Sequence, residues 1–180
     1  MVAMSVAMPS LTNDWGISST DKGFILSSAL IGMTLGAMFL APFADKIGRR
    51  NILLLATIMI GLSMIVTKFI PASVELMMLI RCISGLGIGI IFANSAAIGS
   101  EFAPEKYRNL AVTVIVMGYA SGAMIVGPAA NMIIPDYGWQ MVFVLGGVFT
   151  LIMTVLIYFW LPESVEFVAT QKGDAAGRVD

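Results

Sequence analysis

Residues 24–50 read FILSSALIGMTLGAMFLAPFADKIGRR. The 21 residues from Phe24 to Ala44 carry no charge, and then four of the next six are charged: Asp45, Lys46, Arg49 and Arg50. A helix rises about 1.5 Å per residue, so an uncharged block of this length matches a bilayer core of roughly 30 Å. Its apolar residues are continuous rather than spaced along one face, as in a helix with no water-facing side. The charged decapeptide APFADKIGRR then marks where that helix leaves the apolar phase.

Four similar blocks follow: residues 52–70, 76–100, 110–134 and 139–161. The first holds one charge near its end, Lys68, the second holds Arg81, and the last two hold none. Before Phe24, residues 1–12 are apolar for about half a span. No basic segment precedes them, as a signal peptide requires. They are expected to be the outer part of a first helix whose beginning lies before Met1, with a short interfacial segment as the alternative. The expected architecture is an all-α integral membrane protein: a six-helix transmembrane domain over residues 1–161 with an incomplete first helix, then a polar linker or tail over 162–180. Short links between the blocks make sequential helices antiparallel neighbours.

Composition agrees. The 180 residues are 58% hydrophobic and 12% charged, and mean hydropathy is +0.93. A soluble domain carries about twice that charged fraction, near 25%. A net charge of −1 leaves no basic surface for nucleic acid. There is no histidine, and the one cysteine, Cys82, lies inside an apolar block. A membrane enzyme would need clustered acids, bases or metal ligands, which the spans lack. No metal site and no cofactor are expected.

Lysine and arginine set the orientation. Lys46, Arg49, Arg50, Lys106, Arg108, Lys172 and Arg178 lie on one side, and only Lys22 and Lys68 on the other. The positive-inside rule puts loops 45–51 and 101–109 and the tail in the cytoplasm of a multi-pass cell-membrane protein. Trp15, Trp139 and Trp160 sit at span edges, the positions of interfacial tryptophans.

Three segments carry chemistry. In APFADKIGRR, Gly48 can supply a tight turn, and Asp45 can pair with Arg49 and Arg50 or with helix ends. A plain cytoplasmic anchor would explain the arginines but not the order of the whole motif. In RCISGLGIG (Arg81–Gly89), an arginine lies within a span, where charge is costly and marks a functional candidate. Its alternative is snorkelling to the headgroups, since it lies only about 7–8 Å along the helix from Leu76. Gly85, Gly87 and Gly89 would let a neighbouring helix or ligand approach the backbone. The pairs Gly32/Gly36 and Gly118/Gly122 suggest packing faces in the second and fifth spans and a weak three-plus-three inverted repeat.

The match Asp45, Lys46, Gly48, Arg49, Arg50 resembles the major facilitator superfamily signature G-x-x-x-D-[RK]-x-G-[RK]-[RK], with Ala41 in place of the leading glycine. Arg81, Gly85 and Gly87 match its R-x-x-x-G-x-G pattern, and the resemblance covers essentially the whole chain. It implies that Arg81 serves proton coupling or an anionic substrate group. EFAPEKYR (Glu101–Arg108) and LPES (Leu161–Ser164) resemble loops of sugar porters and aromatic-acid:proton symporters. Val165 and Glu166 stand where an arginine commonly follows. VAMPS from Val6 and PDYGWQMVFVLGG from Pro135 resemble the aromatic-acid branch, whose acidic D-G-x-D motif would precede Val6. By this resemblance Asp45, Lys46, Gly48, Arg49, Arg50, Glu101, Arg108 and Glu163 form a cytoplasmic gating motif. Independent solvated charges, worth about 0–1 kcal/mol per pair, are the alternative.

The resemblance implies half of a proton-coupled transporter that alternates access to a small, anionic organic solute such as an aromatic acid. Its partners would be the lipid bilayer and a C-terminal six-helix half. Arg81 is the candidate for the anionic group and Tyr119 a hydrogen-bonding partner, whereas Asn94 falls about 140° around the helix from Arg81. The rival readings are a self-contained six-helix channel or scaffold and a carrier of sugars or other metabolites.

Overall fold

The computed structural model describes residues 2–161, apart from the side chains of Asp45 and Phe102. Six helices run back and forth: α1 (Val2–Trp15), α2 (Ser19–Leu35), α4 (Arg49–Thr67), α5 (Val74–Phe102), α6 (Arg108–Tyr137) and α7 (Trp139–Trp160). A single turn, α3 (Ala44–Ile47), lies between α2 and α4. Among the described residues five segments are long and apolar enough to cross a membrane: Ser19–Phe43, Arg49–Thr67, Val74–Glu101, Glu105–Tyr137 and Trp139–Trp160. These five overlap the five blocks marked out from Phe24 onward, with ends that differ by up to five residues. α1 takes in Asp14 and Trp15, and Pro135, expected at the end of a span, lies inside α6.

Local chemistry explains the ends. Ser18 caps α2 reciprocally with Asp21: its hydroxyl accepts from the Asp21 amide, and the carboxylate accepts from the Ser18 amide, both at 3.2 Å. At the other end Pro42 offers no N–H to the helical ladder. The helix absorbs this through a π turn at Gly36–Leu40, with Ala41 donating to Gly36, and a 3-10 turn at Ala41–Phe43. Gly48, at φ 100° and ψ 136°, makes the reversal into α4 in a region that favours glycine.

α5 is the central helix, lying between α2 and α4; α7 covers α4, and α1 packs on α6 and α7. Under a three-plus-three repeat α1, α2 and α4 correspond to α5, α6 and α7. The α2–α5 contact then maps onto α6–α1, and α4–α5 onto α7–α1, both of which occur. Glycine allows the tightest approach. A Cβ on Gly32 or Gly36 would overlap the carbonyls of Cys82 or Leu86, and one on Gly85 or Gly89 those of Ala29 or Met33. Gly87, on the far side of α5, meets Ala56 and Ile60 of α4. So α2 and α5 touch backbone to backbone.

Gly118 and Gly122 depart from their expected packing role. A Cβ at either meets no described atom within 4 Å, and the spanning window of α6 is unburied throughout.

Candidate functional site

Arg81 sits in the second turn of α5, in a span, and is only 6% exposed. Its guanidinium carbon lies 4.3 Å from the ring centroid of Phe143 on α7. Nε and Nη2 are buried with no hydrogen-bond partner among the described residues. Arg81 lines a cavity of about 50 Å³ with Ala3 and Met4 of α1, Ile25 of α2, Met64 of α4 and its own Ser84. Ser84 turns its hydroxyl to the Arg81 carbonyl at 2.9 Å and so leaves the guanidinium alone.

Magnitudes bear on what this cation does. A buried charge costs several kcal/mol, and a desolvated cation–π contact returns about 2. A planar guanidinium with an unused N–H edge is suited to a bidentate carboxylate. About 50 Å³ holds a few waters or a carboxylate group but not a benzene ring.

Tyr119 is not part of this cavity. It stands edge-on to Phe92 at 4.9 Å, and Phe92 is eleven residues beyond Arg81 on α5, roughly 16 Å along the axis. Asn94 is buried but donates to the Ile90 carbonyl at 3.0 Å.

The charged loops form a second cluster at the other end of the bundle. Arg49, in the first turn of α4, pairs with Glu101 at the end of α5, their side chains 16% and 23% exposed. Arg50 donates through Nη2 to the Tyr158 carbonyl near the end of α7, and its guanidinium carbon lies 5.0 Å from that ring's centroid. Lys46 lies over Phe43 at 5.9 Å. Arg108 opens α6 after the 3-10 turn Glu105–Tyr107 and is exposed. Gly48 supplies the turn that brings Arg49 and Arg50 to α5 and α7. The Asp45 side chain and Glu163 lie outside the described residues.

Three contacts had no signal in the sequence. Tyr158 holds Arg50 through a backbone oxygen, which no motif encodes. Phe143 is one of ten phenylalanines in an apolar chain. Asp14 accepts from Trp139 Nε1 at 2.7 Å, and Trp139 is 2% exposed. Trp139 is therefore not the interfacial residue its place at a span edge suggests. Trp160 is 83% exposed. Among the described residues no group of three or more potential metal ligands occurs.

The sequence profile of the Major Facilitator Superfamily matches residues 1–178. The chain is 35% identical over 170 residues to the 4-hydroxybenzoate transporter PcaK of Pseudomonas aeruginosa, covering 94% of this chain and 38% of that protein. It is 31% identical over 176 residues to a gallate transporter of Pseudomonas putida, covering 98% of this chain and 39% of that one. The benzoate transport protein of Acinetobacter baylyi is 31% identical over 183 residues, with 99% and 39% covered. The chain thus spans about two fifths of the length of these relatives. Among solved structures, the proton:xylose symporter XylE bound to 6-bromo-6-deoxy-D-glucose superposes with a TM-score of 0.84 at 21% identity, covering 94% of this chain and 42% of that one.

Proposed function

The chain belongs to the major facilitator superfamily, a family of multi-pass membrane transporters, and on that premise we propose that it forms the N-terminal half of a proton-coupled carrier for a small aromatic or other carboxylic acid. The observation that carries this reading is Arg81, a buried cation with two N–H-bearing atoms lacking partners among the described residues. Three relatives named as transporters of 4-hydroxybenzoate, gallate or benzoate support the solute class. The solute's carboxylate meets the guanidinium edge, and its ring lies in the space opened toward a C-terminal half. The cavity seen is too small for that ring, so binding requires another conformation. Alternating access supplies one.

The contacts Arg49–Glu101 and Arg50–Tyr158 hold the cytoplasmic ends of α4, α5 and α7 together in one state and loosen in the other. Arginine keeps its proton at working pH, so the coupled proton rides on the solute or on a carboxyl rather than on Arg81.

The test is uptake by the full-length transporter in proteoliposomes under an inward proton gradient, with 4-hydroxybenzoate, gallate, benzoate and xylose as probes. Accumulation of at least one acid, abolished by a protonophore, is expected, with none of xylose. Xylose uptake alone, or acid uptake indifferent to the protonophore, contradicts the reading.

A further inference from the structure

Arg81 is the end of a chain of contacts that starts at the far end of α1. The Asp14 carboxylate accepts from Trp139 Nε1 at 2.7 Å. The Trp139 ring stands edge-on to Trp15, at 5.7 Å, and to Phe143, at 5.9 Å and one turn along α7. Phe143 is fully buried, and its ring supports the Arg81 guanidinium at 4.3 Å. Three helices thus meet in one unbroken series: α1 through Asp14, α7 through Trp139 and Phe143, and α5 through Arg81.

We propose that Asp14, Trp139 and Phe143 are positioning residues that hold the Arg81 guanidinium in its working orientation; this rests on Arg81 being the carboxylate-binding group. A buried indole N–H needs an acceptor, and an ionised carboxylate is a strong one. That bond fixes the Trp139 ring against Trp15, and the fixed ring sets the edge on which Phe143 rests. A cation over a ring face is attracted without using its N–H groups. Phe143 therefore steadies Arg81 without engaging Nε and Nη2, which have no hydrogen-bond partner among the described residues. A leucine there would keep the burial but lose the attraction and the flat support. The cost falls on binding rather than on the rate of switching, because the braced groups are distant from the Arg49–Glu101 end.

The experiment uses the full-length transporter with Asp14→Asn, Asp14→Ala, Trp139→Phe and Phe143→Leu. Gly147→Ala is a control that strains α7 against α4 without touching the brace. Two readouts are taken at equal membrane abundance. One is uptake of 4-hydroxybenzoate, split into half-saturation and maximal rate. The other needs no solute: modification of the Arg81 peptide by phenylglyoxal, followed by mass spectrometry.

Asp14→Ala, Trp139→Phe and Phe143→Leu should raise half-saturation about three- to tenfold, with maximal rate within twofold, in line with the loss of one cation–π or hydrogen-bonding support. In the same variants Arg81 modification should accelerate at least severalfold. Asp14→Asn, which keeps an acceptor oxygen, should stay near wild type in both, and Gly147→Ala should leave the modification rate unchanged. Wild-type modification in Asp14→Ala and Phe143→Leu, or equal acceleration in Gly147→Ala, overturns the brace. No acid uptake by the wild-type protein, together with faster modification in the brace variants, leaves the brace standing and sinks the solute assignment instead.

Discussion

Arg49 and Glu101 form an ion pair between the first turn of α4 and the last turn of α5, in the loops that the cation count assigns to the cytoplasm. The pair is partly shielded, so it stands above the solvated surface pairs that contribute about 0–1 kcal/mol. It also closes the same end of the bundle that Arg50 ties to α7 through the Tyr158 carbonyl.

Glu101→Gln removes the charge and keeps the size. In the full-length transporter it should lower the maximal uptake rate about three- to tenfold, as expected for losing roughly 1 kcal/mol from one state of a two-state switch. Half-saturation should change less than twofold. The reversal Arg49→Glu with Glu101→Arg should recover part of the loss. Kinetics of the two variants and the wild type at matched abundance check this, and wild-type rates in Glu101→Gln would reduce the pair to an anchor.

The backbone contact between α2 and α5 is equally specific. A methyl at Gly85 would meet the Ala29 carbonyl, which cannot swing away as a side-chain tip can. Gly85→Ala should cost about 1–3 kcal/mol through overpacking. Gly23→Ala, where a Cβ meets nothing within 4 Å, should cost far less. Thermal inactivation midpoints in detergent compare the two, and equal midpoints would mean that the helices do not pack this closely.

Orientation rests on seven cations against two and is open to direct labelling. With Cys82 replaced, single cysteines at Asn51 and Asp136 should behave oppositely toward an impermeant thiol reagent added outside cells. Asp136 should label and Asn51 should not; the reverse pattern would invert the topology.

The helices were legible because uncharged length is nearly a sufficient signal for a span, and the tight turn was legible because Gly48 stands between two charged groups. Arg81 was legible by type, being a cation where cations are costly. Its partner was not: an aromatic under a guanidinium looks like any other phenylalanine until α5 and α7 are packed. Trp139 shows the same limit. Position along the chain places it at a span edge, but only the meeting of α1 and α7 buries it and gives its N–H to Asp14. Gly118 and Gly122 share the spacing of Gly32 and Gly36 yet meet nothing described, because spacing does not say which neighbour lies at that level.

The central claim is that Arg81 grips a carboxylate. Arg81→Lys keeps the charge and a long stem but loses the planar fork. Binding of 4-hydroxybenzoate to the purified full-length transporter, measured calorimetrically for wild type and Arg81→Lys, separates the two roles. The account predicts a Kd at least about tenfold higher in the lysine variant, roughly the 1.4 kcal/mol of one charge-assisted hydrogen bond. An unchanged Kd would contradict it and leave Arg81 as a cation that serves only to seat α5 in the membrane.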